Sequence, residues 1–167
     1  LILKMQYQDF QLRRIEDKDN ATLASIIRTT LEEFGANHPG TVYFDKETDQ
    51  LFKVFEQPGS WYFVVERNHE IWGGAGIFPT PGLPSGTCEL VKMYLLPAAR
   101  GTGLGNFMLE QCMQKAREMG YKNMYLETMP ELTAAVPMYK KNGFQYLDKP
   151  MGNSGHFGCP IQMQRTL

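Results

Sequence analysis

The stretch Leu90-Val91-Lys92-Met93-Tyr94-Leu95-Leu96-Pro97-Ala98-Ala99-Arg100-Gly101-Thr102-Gly103-Leu104-Gly105 decides how this chain is read. A buried-strand pattern ends at a proline, and a glycine-rich loop opens directly into a helix. Leu104, Met108, Cys112 and Ala116 share one face at helical spacing, so the helix is expected from Gly103 to about Met119, with Gly120 as its stop. Such a loop aims several backbone N–H groups at one point, and the helix macrodipole adds positive potential there. That arrangement suits a pyrophosphate. Arg100 supplies a cation at the loop entrance, and Gly101, Gly103 and Gly105 let the backbone approach a ligand where a Cβ would collide. A ligand with phosphates is expected here, its reacting end lying along the preceding strand.

Spacing separates the candidate ligands. A dinucleotide fingerprint needs G-x-G-x-x-G in the first strand–helix unit, whereas this loop has Asn106 at the sixth position and lies two-thirds of the way along the chain. A phosphate-binding P-loop needs G-K-[ST], which is absent from the sequence. What remains is Arg-x-x-Gly-x-Gly after a strand ending in Pro97, which resembles the acetyl-coenzyme A signature of the GNAT N-acetyltransferase family. The resemblance continues elsewhere. Gly73-Gly74-Ala75-Gly76-Ile77 is similar to that family's third strand, Cys88 to Leu95 to its fourth, and Tyr125-Leu126-Glu127-Thr128 to its fifth. Ala135-x-x-Met138-Tyr139-x-x-x-Gly143-Phe144 resembles the family's A-x-x-L-Y-x-x-x-G-F segment. Residues 61–147 carry the match well and the N-terminal third carries it only by pattern. Two departures stand out: Leu132 occupies a position where many members have Asn, and Pro137 lies inside the expected fourth helix, where only the first turn tolerates it.

The resemblance implies acetyl transfer from the thioester of acetyl-coenzyme A to a primary amine. The amine must be neutral to attack, although a free alkyl amine has a pKa of about 10.4. The tetrahedral oxyanion needs fixed donors, and the leaving thiolate needs a proton. By resemblance, the backbone N–H groups of Met93 and Leu95 hold the thioester carbonyl and the pantetheine arm. Arg100, Gly101, Thr102, Gly103, Leu104 and Gly105 hold the pyrophosphate, and Tyr139 is the general acid. A packing tyrosine at a helix end is the plainer reading of Tyr139. Glu89 is the expected base, with an outward strand carboxylate as its alternative. Glu127 and Thr128 stand where the fourth and fifth strands should splay, so they are candidates to contact the acceptor. His156 is a further base candidate, since its ordinary pKa near 6.5 suits proton transfer at neutral pH.

The rest of the sequence sets bounds. The chain has 167 residues, with 17 Lys and Arg against 18 Asp and Glu, so a nucleic acid or anionic membrane partner has no electrostatic basis. The apolar opening Leu1 to Met5 is too short for a signal peptide. Cys88, Cys112 and Cys159 are odd in number and widely spaced, which points to buried thiols in a reducing cytoplasm and to no metal site. One domain over 1–167 is expected, of α/β (α+β) class, with a mixed, mostly antiparallel sheet of six to seven strands flanked by about four helices. Helices are expected from Asp19-Asn20-Ala21, with a cap, to Phe34, and from Asp45 to Phe55. A hairpin should turn at Arg67-Asn68-His69-Glu70. The loops Pro79–Gly86 and Met151–Pro160 should wall an acceptor pocket in which Glu89, Glu127 and Glu131 suit a cationic amine, whether on a small molecule or a peptide. A homodimer is left open. The competing function is a non-catalytic acyl-coenzyme A-binding sensor or regulatory module, which would keep the glycine loop but not need Tyr139.

Overall fold

The computed structural model describes residues 5–167, so Leu1 to Lys4 of the apolar opening lie outside the described residues. Eight strands run β1 (Gln6–Tyr7), β2 (Phe10–Arg14), β3 (Trp61–Arg67), β4 (Glu70–Phe78), β5 (Thr87–Leu95), β6 (Asn123–Thr128), β7 (Gln145–Tyr146) and β8 (Ile161–Thr166). Four helices accompany them: α1 (Asn20–Glu33), α2 (Leu51–Val54), α3 (Leu104–Glu118) and α4 (Ala135–Lys141). The sheet order is β1-β2-β3-β4-β5-β6-β8-β7, and every pairing is antiparallel except β5 with β6. The count exceeds the expected six to seven because the two-residue β1 pairs with β2 through Gln6 and Gln11, too short a signal to read from periodicity. The expected hairpin joins β3 to β4, with Asn68 and His69 both at positive φ, as a tight two-residue hairpin turn requires.

Both sheet faces are covered, so β3 reads as an unbroken apolar run whose residues alternate between two cores. Phe63 and Val65 pack with Leu104, Phe107, Met108 and Cys112 of α3, while Tyr62 and Val64 pack with Leu23, Ile27 and Leu31 of α1. The three cysteines are free and buried. No helix among the described residues is long and apolar enough to cross a membrane.

The decisive irregularity lies in β5. Gly74 pairs with Tyr94 but Gly76 with Val91, so β5 carries one extra residue, and Lys92 there has φ +51°. The bulge flips the side-chain phase. Before it, Cys88 and Leu90 face the α3 side; after it, Met93 and Leu95 do, and Tyr94 faces the α1 side. The small residues of β4 make room for the brace that holds this bulge. A Cβ on Gly74 or Gly76 would come within 2.4 or 2.6 Å of the Tyr62 ring, and the Tyr62 hydroxyl donates to the Lys92 carbonyl at 2.8 Å.

Two expected local features differ. Asp19 does not cap α1 with its side chain. Its carboxylate instead accepts from both Arg13 terminal nitrogens, at 2.8 and 2.9 Å, and from the Glu16 N–H at 2.7 Å. The helix expected from Asp45 to Phe55 is a 3-10 turn over Lys46–Gln50 followed by the single turn α2. The Asp45 carboxylate makes no cap bond; it is drawn to His156. Pro137 falls in the first turn of α4, where its missing N–H would have no partner in any case.

Candidate active site

The site forms where the sheet opens. The parallel β5–β6 ladder runs only from Thr87 with Asn123 to Glu89 with Tyr125, whereas Leu126 to Thr128 of β6 pair with β8 alone. Beyond Glu89 the two strands splay, and a cleft of about 340 Å³ occupies the space between the end of β5, the glycine loop and α4.

Most of the expected ligand-binding residues line this cleft: Met93, Leu95, Arg100, Gly101, Gly103, Gly105 and Tyr139. Leu104 is fully buried in the core, and the Thr102 hydroxyl folds back to the Ala99 carbonyl at 2.8 Å; only their backbones can serve a ligand. Gly103 is fixed by the protein itself, since it has φ +88° and a Cβ there would lie 2.4 Å from the Tyr7 hydroxyl. Gly105 is different. Its backbone is helical and a Cβ would meet Met138 Sδ at 3.5 Å and Leu95 and Met93 at 3.8 Å, all ordinary contacts, so its bareness leaves space in the cleft. Arg100 is less free than its sequence position implies: its guanidinium holds both Glu33 carboxylate oxygens at 2.7 and 2.9 Å and donates to the Leu95 carbonyl at 3.1 Å. It braces the loop against α1.

Tyr139 projects from α4 into the cleft and is 7% exposed. Burial pushes its hydroxyl well above the ordinary tyrosine value, so it stays protonated. Among the described residues that hydroxyl has no hydrogen-bond partner, which leaves its proton available to a ligand.

A second, smaller chamber of about 50 Å³ adjoins the cleft, and Tyr94 and Leu132 line both. Glu89, Glu127, Thr128 and His156 line the chamber, so the fold brings together four of the five residues expected on the acceptor side. Donor atoms of Glu89, Glu127 and His156 lie within 4.8 Å of one another. Glu89 is 3% exposed, and burial together with the Glu127 charge pushes its carboxyl up to about 7, against the opposing bond from the Thr80 hydroxyl at 2.7 Å. Glu127 accepts from the Tyr125 hydroxyl at 2.8 Å and from the Ser154 hydroxyl. His156 Nε2 lies 2.7 Å from Asp45 Oδ2.

The two expected loops divide the work. Met151–Pro160 does wall the chamber, through His156 and Cys159. Pro79–Gly86 stands behind it: Thr80 holds Glu89, and the Pro81 carbonyl accepts from the Asn153 N–H at 2.8 Å. Glu131 is not in the chamber wall and lies 3.9 Å from His38 instead. Among the described residues Glu89, Glu127 and His156 are the only grouping with donors close enough for a metal ion, and the Lys92 ammonium in the same wall opposes a cation there.

Sequence reasoning missed Asp45, Lys92, Tyr94 and Ser154. Lys92 had a usable signal, a lone lysine inside an apolar run. Asp45 had none, because its partner is 111 residues away.

The Acetyltransferase (GNAT) family profile matches residues 23–144, which take in both cleft and chamber except the Met151–Pro160 loop. The chain belongs to the GNAT acetyltransferase family. A GNAT relative from Escherichia coli K12, named as the uncharacterized N-acetyltransferase YjgM, is 42% identical over 157 residues, covering 93% of this chain and 94% of that one. In structure, an acetyltransferase from Streptococcus agalactiae superimposes with a TM-score of 0.82 at 15% identity, covering 96% of this chain and all of the other. A predicted acetyltransferase from Clostridium acetobutylicum, solved with acetyl-CoA, gives a TM-score of 0.69 at 25% identity over 87% of this chain and 96% of its own. The mixed GNAT sheet expected from the sequence is therefore the fold observed.

Proposed function

We propose that this protein is a single-domain, acetyl-coenzyme A-dependent N-acetyltransferase over residues 1–167, moving the acetyl group to a primary amine of a small molecule or peptide by direct attack. The observation that carries this is the junction of the two spaces. A cleft ending in a glycine loop and a helix N-terminus meets a small chamber holding two carboxyls across Tyr94 and Leu132.

The roles follow from the chemistry. N–H groups of Gly101, Thr102, Gly103 and Gly105 receive the pyrophosphate at the start of α3, those of Arg100 and Leu104 being held by the Pro97 carbonyl and the Thr102 hydroxyl. Met93 and Leu95 offer backbone N–H groups to the acyl-pantetheine end, Met93 acting as oxyanion donor. The acceptor enters the chamber as an ammonium and gives a proton to Glu89, whose carboxyl, pushed up to about 7, is matched to accept one near neutral pH. The neutral amine attacks the thioester carbonyl; as the intermediate collapses the C–S bond breaks, the sulfur takes the Tyr139 proton, and the surplus proton on the attacking nitrogen passes to the tyrosinate, leaving the amide and the free thiol of coenzyme A. Glu127 and Thr128 bound the space for the amine. His156 serves as a latch for the loop, since Asp45 engages its ring. A buried carboxyl poised near neutrality in the acceptor chamber favours an enzyme over a sensor, which has no proton to move. The buried free thiols fit a reducing, cytoplasmic setting.

The test is thiol release from acetyl-coenzyme A with a panel of amines, alongside thermal stabilisation by the coenzyme. Stabilisation without thiol release for any amine would return the protein to the sensor reading.

A further inference from the structure

Lys92 has no part in the transfer as derived above, yet it is held in an unusual way. Its backbone sits in the left-handed region, φ +51°, at the β5 bulge, a conformation that non-glycine residues seldom adopt and that clusters at functional sites. The Tyr62 hydroxyl fastens its carbonyl, so the bulge is built rather than frayed. The side chain is 8% exposed and belongs to the chamber wall. An ammonium carries three donors. The nearest carboxylate oxygen, Asp45 Oδ2, is 3.9 Å away, beyond hydrogen-bond reach, and that oxygen already faces His156 Nε2 at 2.7 Å. Among the described residues no acceptor fills the Lys92 donors. The nitrogen itself is not fully enclosed, so its donors are open to the chamber and to an acceptor that a ligand brings there.

The chamber therefore presents both signs: the Glu89 and Glu127 carboxyls, and the Lys92 ammonium. A purely cationic amine would leave the Lys92 donors unfilled and bring a second positive charge beside the first. An anion lacking an amine would face two carboxylates. A peptide N-terminus brings the amine, but offers Lys92 only a neutral carbonyl and needs an exit for the chain. The chamber holds about 50 Å³, so it admits a short head group. We infer that the acceptor is a free α-amino acid, its carboxylate bound by Lys92 and its amine directed to Glu89. This rests on the acetyltransferase reading above and names its substrate class.

The experiment compares the L-amino acids with their C-terminal amides and their decarboxylated amines, on the intact protein, in two readouts. Thiol release gives kcat/KM for each acceptor. Thermal stabilisation of the coenzyme A complex reports acceptor binding without turnover. The expected result is a preference of about 10- to 100-fold for at least one amino acid over its amide and its amine, the range for losing a hydrogen bond to a charged group. Only that amino acid should raise the melting temperature. In Lys92→Gln and Lys92→Met the preference should collapse toward unity, and Lys92→Arg should restore part of it. Amides or amines that match the acids in both readouts overturn the inference, and an amide that matches the acid points to peptide N-termini. Amine turnover without carboxylate preference sinks the inference and leaves the acetyltransferase standing. Lys92-dependent amino-acid binding without any thiol release does the reverse. If Lys92→Gln fails to fold, the comparison of acceptors on the parent protein still decides.

Discussion

Replacing Glu89 with Gln tests the acceptor chamber through stability as well as rate. The carboxyl is 3% exposed and rises from its ordinary 4.5 to about 7, because burial and the Glu127 charge both disfavour the ionised form. At about 1.4 kcal/mol per pH unit this rise is worth about 3 kcal/mol. For a carboxyl with a raised folded-state pKa, the contribution to stability is full below about 4.5 and is lost as pH climbs through about 7. Glutamine has nearly the same shape, still accepts from the Thr80 hydroxyl and has no proton to lose. Parent and Glu89→Gln should therefore be similar in stability near pH 4.5. Above pH 8 the variant should be the more stable by up to about 3 kcal/mol, or about 6–12 °C in Tm for a domain of this size. Activity should move the opposite way: the parent kcat/KM should rise through about pH 7, and Glu89→Gln should lose that limb and about 10²- to 10⁴-fold in rate. Thermal or denaturant unfolding at pH 5, 7 and 9 measures the first effect, and thiol release across the same range the second. A stability difference that stays constant from pH 5 to 9 would refute the claim that Glu89 titrates inside the chamber. Full activity in the variant would mean that the amine loses its proton without a base.

Tyr139→Phe keeps the ring and should bind acetyl-coenzyme A as the parent does, while kcat falls by about 10²- to 10⁴-fold; a rate within about threefold would assign Tyr139 to packing. The loop glycines should separate by readout. Gly103→Ala strains a left-handed position and displaces the Tyr7 hydroxyl, and should cost about 1–2 kcal/mol of stability in denaturant unfolding. Gly105→Asp should leave the fold intact, a carboxylate near a helix N-terminus being favourable, but should abolish thermal stabilisation by coenzyme A. Arg100→Ala should weaken coenzyme A binding by no more than about tenfold, roughly one charged hydrogen bond, because the backbone donors remain; a loss of about a thousandfold in a calorimetric titration would restore Arg100 as the principal phosphate contact. His156→Ala should retain the pH limb of kcat/KM near 7 and raise amide exchange in residues 151–160, whereas loss of that limb would make His156 the base.

Much of the cleft lining was legible in the sequence because its determinants are local. A strand, a proline, three glycines and a helical stripe follow one another within thirty residues, and each constrains its neighbour directly. The segment from Ala135 to Phe144 carried Tyr139 for the same reason, with Pro137 harmless in the first turn of α4. Local reasoning failed where a side chain had a distant rival partner. Asp19 was expected to cap a helix but pairs with Arg13, and the run from Asp45 is interrupted because its first carboxylate goes to His156.

The sequence by itself determined the family, the mixed sheet and the glycine loop, and it singled out Glu89, Glu127, Thr128 and His156 but neither Lys92 nor Tyr94 of the chamber wall. Only the tertiary structure decided how those residues meet. The splay of β5 from β6 after Glu89 opens the site. The bulge at Lys92 turns Met93 and Leu95 toward one space and leaves Lys92 in the wall of the other. Side chains on a strand alternate with a period of two, so a single extra residue reverses every position beyond it. The residue that holds the bulge, Tyr62, and the strand that accommodates it, β4, come from earlier in the chain. A periodic pattern cannot report such an insertion until the partner strand supplies the register.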